Sequence, residues 1–161
     1  MAEQRSRPAD ALKLIARDEE DLAVISAILQ DALIPVSEMA YLPEEQRFAL
    51  VANRFRWEAP GDRPGEKLER RFTGLSIGGV TAVRRRGFRP GDPDRILALL
   101  ALRWVDGALR LDFAGGASIQ LETGEILCHL DDLSEPWPTR WQPRHPYLSY
   151  PAAMENLRRA K

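Results

Sequence analysis

The chain has 161 residues, 44% of them hydrophobic, which is enough for one sizeable core and falls within the ordinary range of a single domain. A formal charge of -1 and an isoelectric point of about 6.2 exclude the strong basic excess of most nucleic-acid and anionic-membrane binders, so any such role has to be local. One cysteine, Cys128, excludes an intramolecular disulfide, and no Cys/His spacing fits a structural zinc site, so no metal or other cofactor is expected.

Residues 1–10 form a polar tail without the apolar segment of a signal peptide, and the longest apolar run, residues 96–102, is too short to span a bilayer. A reducing, cytoplasmic compartment is expected. One domain is expected over residues 11–133, with a Pro/aromatic-rich extension over 134–161. Residues 11–16 read as a short strand. Asp18 can then cap a helix whose first turn carries Glu19, Glu20 and Asp21, and Leu22, Ile25, Ile28, Leu29 and Ala32 recur at helical spacing. The pattern predicts a helix from Glu19 to about Gln30. Ile34-Pro35-Val36 opens an extended stretch to Tyr41, because proline cannot continue the helix.

Pro43-Glu44-Glu45-Gln46 reads as a turn. Residues 47–57 read as a strand with apolar side chains on both parities. The segment 58–66, with Pro60, Gly61, Pro64 and Gly65 among charges, reads as an exposed loop. Residues 68–77 and 80–88 are further strand candidates around Gly78-Gly79, and 89–95 forms the next loop.

Asp106-Gly107 between apolar runs is a strong hairpin signal, since a type I′ turn needs positive φ at both central residues. That loop pairs Val105 with Ala108 and sets Trp104, Leu102 and Leu100 opposite Leu109, Leu111 and Phe113 on one face. A shift of one residue would bring Arg110 and Asp112 to that face instead, so the burial pattern supports the register. At the next turn, a three-residue loop over Gly115, Gly116 and Ala117 sets Phe113 opposite Ile119 and Leu111 opposite Leu121. A two-residue turn at Thr123-Gly124 would pair Leu121 with Ile126 and Ile119 with Cys128; a helical turn or a continuous, bent strand is the alternative there.

This arithmetic places Arg110 beside Arg103 and Glu122, Asp112 beside Gln120, and Ser118 beside His129 on the outward face. Arg103, Arg110, Glu122 and His129 form the candidate ligand site, although a solvated sheet face with cross-strand ion pairs is the simpler reading. Ser118, His129 and Asp112 hold the residue types of a nucleophilic triad, but no nucleophile elbow accompanies them. His129, Asp131, Asp132 and Glu125 could be taken for a metal cluster, and alternation along a strand lets His129 and Asp131 share a face, yet a metal site requires three or four ligands closing on one point.

Arg84, Arg85, Arg86 and Arg89 form the concentrated basic stretch and the candidate anion site. Charge that protects an edge strand from aggregation explains the first three as simply. In the extension, Trp137, Trp141 and Tyr147 are candidate anchors for docking on a partner or on the domain itself.

The helix behind Asp18-Glu19-Glu20-Asp21, the strand from Gln46-Arg47-Phe48 to Arg54-Phe55-Arg56-Trp57, and Leu111-Asp112-Phe113-Ala114-Gly115-Gly116 with Ile119-Gln120-Leu121-Glu122 carry a resemblance. The chain resembles a group of small bacterial proteins known as a domain of unknown function, and the similarity covers most of residues 12–133. The resemblance implies no activity, cofactor or catalytic residue.

The expected fold is α+β, one principal helix on a largely antiparallel sheet of about seven to nine strands that curls toward a barrel. A non-catalytic binding or scaffolding module is the leading functional expectation, its partner a protein or a second copy. A small-ligand protein or enzyme using the outer polar face comes second, and phosphate or nucleic-acid binding through the Arg84 to Arg89 stretch third.

Overall fold

The structure, a computed structural model, describes residues 10–58, 68–92, 94–140 and 143. Trp141, Tyr147, nearly all of the expected polar tail and most of the expected loop at 58–66 lie outside the described residues.

The described residues fold as one α-helix, α1 (Glu19–Ile28), on an antiparallel sheet of 11 strands. The strands are β1 (Lys13–Ala16), β2 (Leu33–Pro35), β3 (Met39–Leu42), β4 (Arg47–Phe55), β5 (Glu69–Ile77), β6 (Ala82–Arg86), β7 (Ile96–Val105), β8 (Ala108–Phe113), β9 (Ser118–Glu122), β10 (Cys128–Asp132) and β11 (Trp137–Pro138). Their order is β1-β10-β5-β4-β2-β7-β8-β9-β6, with β3 also paired to β4 and β11 to β5. The α+β architecture is as expected, whereas the barrel is not: β1 and β6 end the order, and the sheet stays open. Two strands beyond the expected range arise because a 3₁₀ turn at Val36–Glu38 divides the stretch after the helix, and because the C-terminal extension adds β11 along β5.

The helix starts where its sequence says it should. The Asp18 carboxylate accepts the Asp21 amide at 2.8 Å, and the acidic first turn faces the positive end of the helix dipole. Leu22, Ile25 and Ile28 are buried beneath α1. Removing each such side chain from water stabilises by about 1.5–3 kcal/mol.

Asp106 at φ 49° and Gly107 at φ 79° form the expected left-handed pair, and Val105 stands opposite Ala108. Further along, the register breaks between Leu99 and Ala101, so that Leu99, not Leu100, faces Phe113. This bulge turns Leu99 into the core and leaves Leu100 half-buried. Past the bulge, the Leu102 amide donates to the buried Ser26 hydroxyl of α1 at 2.9 Å, so the broken ladder is satisfied from the helix.

Two further registers depart from expectation. The β8–β9 loop is Ala114–Gly116 with Gly115 at φ 83°, one residue earlier than expected, so Leu111 faces Ile119 and Asp112 faces Ser118. A shift of two leaves every side chain on its expected face. More consequentially, Thr123-Gly124 is no hairpin. The second edge of β9 is taken by β6, and β10 crosses to the far half of the sheet, between β1 and β5. Cys128 is a core residue as expected, but its neighbours are Ala16 and Ile77 rather than Ile119.

Cross-strand rows define two faces. Phe48, Ile77, Cys128 and Ala16 form one inward row, and Leu50, Leu75, Leu130 and Leu14 the next. In the meander, Leu109, Leu111, Phe113, Ile119 and Leu121 complete the same inner side. The opposite, outer face carries no helix among the described residues.

Candidate functional site

The outer face divides at the Leu100 bulge into two chemically different halves. On the meander side, Arg103 of β7 pairs with Arg110 of β8, and the row continues through Gln120 of β9 to Arg84 of β6. The neighbouring row is Ala101, Asp112, Ser118 and Arg86. Opposed arginines repel unless a carboxylate lies between them. Asp112 supplies it, accepting from Arg103 Nε at 2.7 Å through Oδ2 and from Arg110 Nε at 2.8 Å through Oδ1.

Glu122, expected beside Arg110, stands instead opposite Ala108, where it accepts from Gln120 Nε2 at 2.9 Å and lies 4.0 Å from Arg84 Nε. Arg84 and Arg86 therefore join Arg103 and Arg110 on one face, while Arg85 points to the other and Arg89 follows in the turn after β6. Two groups of candidates that were separate in the sequence meet here.

His129 does not join them. It sits exposed on β10 between Ile15 and Ser76, and five strands separate β10 from β9. The Ser118, Asp112 and His129 triad is thereby excluded. Asp131 shares the face of His129, but Asp132 points into the core, and among the described residues no three His, Cys, Asp or Glu side chains converge as metal ligands. Burial pushes the Cys128 thiol up to about 12, which removes it from nucleophilic chemistry near neutral pH.

The other half of the outer face carries large exposed apolar side chains, interspersed with the polar His129, Asp131, Ser76 and Asn53. Leu33, Asn53, Phe72 and Leu133 cross β2, β4 and β5 in one row, and Trp137 of β11 stacks on Phe72 with ring centroids 4.7 Å apart. Ile96, Leu133, Ile15 and Phe72 are 59%, 57%, 48% and 46% exposed, high values for side chains of this size. Leu33 and Leu42 are exposed on the same side, so exposed apolar side chains recur across the sheet from β1 to β7. Gly74 makes room for it: a Cβ there would lie 3.3 Å from Leu133 Cδ1.

A third cluster had no expectation attached. The inward parity of β4 runs Phe48, Leu50, Ala52 and then Arg54, which is fully buried, as is Arg71 beside it. Arg54 grips Asp132 through Nε at 2.9 Å and Nη2 at 2.8 Å, and grips Glu58 through Nη1 at 2.9 Å and Nη2 at 2.8 Å. The Thr73 hydroxyl and the Leu12 amide also donate to Asp132. Arg71 donates to the Ser134 carbonyl from Nε at 3.1 Å and Nη2 at 2.8 Å, and Arg56 links Asp10, at 2.9 Å, to Glu69, also at 2.9 Å.

Burial alone would raise the Asp132 pKa. The hydrogen bonds and charge of Arg54, with Thr73 and Leu12, outweigh it and hold the carboxyl below the usual carboxylate range. Burial likewise opposes the Arg54 cation, and Asp132 and Glu58 more than restore it. With its donors consumed, Arg54 has no capacity for a ligand; the cluster ties β1, β4, β5 and β10 together. Inward parity was its one sequence signal, and it becomes readable only once β10 is known to neighbour β5.

Comparison with curated proteins and with solved structures finds no match. A family model described as a protein of unknown function, DUF2948, matches residues 12–145. That span runs from the amide of Leu12, at the buried cluster, through the whole sheet and beyond Trp137. The chain belongs to the DUF2948 family.

Proposed function

We propose that this chain is a non-catalytic binding module of the bacterial cytoplasm that recognises a protein partner through the apolar half of its outer sheet face. The observation that carries this reading is the placement of the exposed large hydrophobics. Of the exposed large hydrophobics among the described residues, Ile15, Leu33, Leu42, Phe72, Ile96 and Leu133 lie on this half, with Trp137 beside them, and Val105 alone sits at the meander hairpin. Several large apolar side chains exposed on one side of a sheet are more than the single ones scattered over an ordinary surface, and such groups mark interaction sites. A partly exposed Trp stacked on Phe72 suits an anchor, since aromatic side chains dominate binding hot spots. The buried, unreactive thiol of Cys128 suits a reducing compartment. Asp112 engages the paired arginines of the polar half, which supports ion pairing there rather than acid–base work.

The test is a photo-crosslinking residue placed at position 72, with position 20 on the acidic start of α1 as control. Discrete adducts from position 72 and none from position 20 support the reading; adducts at twice the chain mass identify the partner as a second copy. Monomer alone from both positions contradicts it.

A further inference from the structure

We propose that the free edge of β6 accepts an acidic, extended polypeptide segment, which adds to the sheet as a further strand. This surface is separate from the apolar strip, so it goes beyond the reading above. β6 closes the strand order and, among the described residues, pairs with β9 alone. Its outer edge is therefore a row of backbone donors and acceptors, the template that peptides use when they augment a sheet.

The side chains on that edge determine which peptide fits. Arg84 and Arg86 face one side and Arg85 the other, so successive residues of an incoming strand meet guanidinium groups alternately on both faces. Opposite charges directly across a strand pair stabilise it, and like charges destabilise it. Arginines on an edge thus refuse neutral and basic strands while admitting an acidic one.

The surface behind the edge has the same preference. Arg84, Arg86, Arg103 and Arg110 outnumber the carboxylates Asp112 and Glu122 on the outer rows of the meander. Asp112, bridging Arg103 and Arg110, shows how a carboxylate is held there. The Arg84 side chain is 75% exposed, and the Glu122 carboxylate lies 4.0 Å from its Nε.

A nucleic acid is the competing polyanion, and two observations favour polypeptide over it. A phosphodiester strand cannot complete the β6 backbone ladder. The outer rows from Ala101 to Arg86 and from Arg103 to Arg84 also carry no aromatic ring on which bases could stack.

The experiment uses the full chain and a fluorescent peptide alternating glutamate and threonine. Binding is expected to weaken with salt and to fall about tenfold in the Arg84→Glu/Arg86→Glu double variant, where two attractive cross-strand pairs become repulsive. A lysine–threonine peptide is expected to bind that variant in its place. A second arm on the unmodified protein, a glutamate peptide with alternate backbone amides N-methylated, keeps the test decisive if the variant fails to fold. Equal binding of the methylated peptide overturns strand addition. Binding of a mixed-sequence single-stranded oligonucleotide but not of the peptide, or no peptide binding at low salt, overturns the proposal altogether.

Discussion

Arg54 and Arg71 on one side of the sheet, and Arg84 and Arg103 on the other, are chemically the same residue in opposite circumstances. The first two are fully buried, and Arg54 has two carboxylates fixed on it in forked geometry. The second two have side chains 75% and 55% exposed. A guanidinium inside the core has to be paired with carboxylates or carbonyl oxygens, because an unpaired buried charge costs several kcal/mol. One at the surface is hydrated, and the carboxylate it engages, as Asp112 is by Arg103, can be exchanged for water or for a partner's. The contrast separates what holds this fold from what the fold can offer.

The largest expected effect comes from breaking the inner pair. Arg54→Met removes the cation hydrogen-bonded to Asp132 and Glu58, leaving only Arg71 at 3.6 Å and Arg56 at 3.4 Å, and should destabilise the protein by about 3–5 kcal/mol, read from denaturant unfolding. A loss below about 1 kcal/mol would mean that Asp132 is not buried as a charge.

Next in size is an acid effect. The folded-state pKa of Asp132 is depressed, so its contribution is fully present above the ordinary carboxylate value of about 4 and is lost as pH falls from there through the lower folded value. Unfolding free energy measured across that window should drop more steeply for the unmodified protein than for Asp132→Asn, which starts lower and has no such proton to take up. Parallel pH profiles would contradict the assignment.

The smallest effect belongs to the outer face. Arg103→Ala breaks a solvent-exposed ion pair with Asp112 and should change stability by no more than about 1 kcal/mol. A larger loss would place the outer lattice among the elements that hold the fold.

The same contrast explains what could be read from the sequence. Local signals were legible: the Asp18 cap, the Asp106-Gly107 turn, and the opposition of Arg103 and Arg110 all follow from residues close in the chain. Parity also carried through, so the inner row from Leu109 to Leu121 survived a misplaced loop whose shift was even. Long-range pairing was not legible. Nothing near Thr123-Gly124 says that β10 leaves the meander to lie against β5, and that crossing separates His129 from Glu122 and brings Asp132 to Arg54. The bulge at Leu100 was hidden for a different reason: its compensation, the Ser26 hydroxyl, comes from the helix and not from either strand. A buried arginine also runs against the rule that places charge outside, so Arg54 and Arg71 read as surface until their partners are known. The apolar strip was hidden because its members come from six strands and the segment after β10.

Proton exchange at the arginine side chains tests the contrast most directly. In ¹H–¹⁵N spectra near neutral pH, the Nε–H groups of Arg54 and Arg71, hydrogen-bonded to Asp132 and Thr73 and to the Ser134 carbonyl, should exchange slowly with water, while those of Arg84 and Arg86 exchange fast. Equal exchange at all four would contradict the division into a structural inside and an available outside.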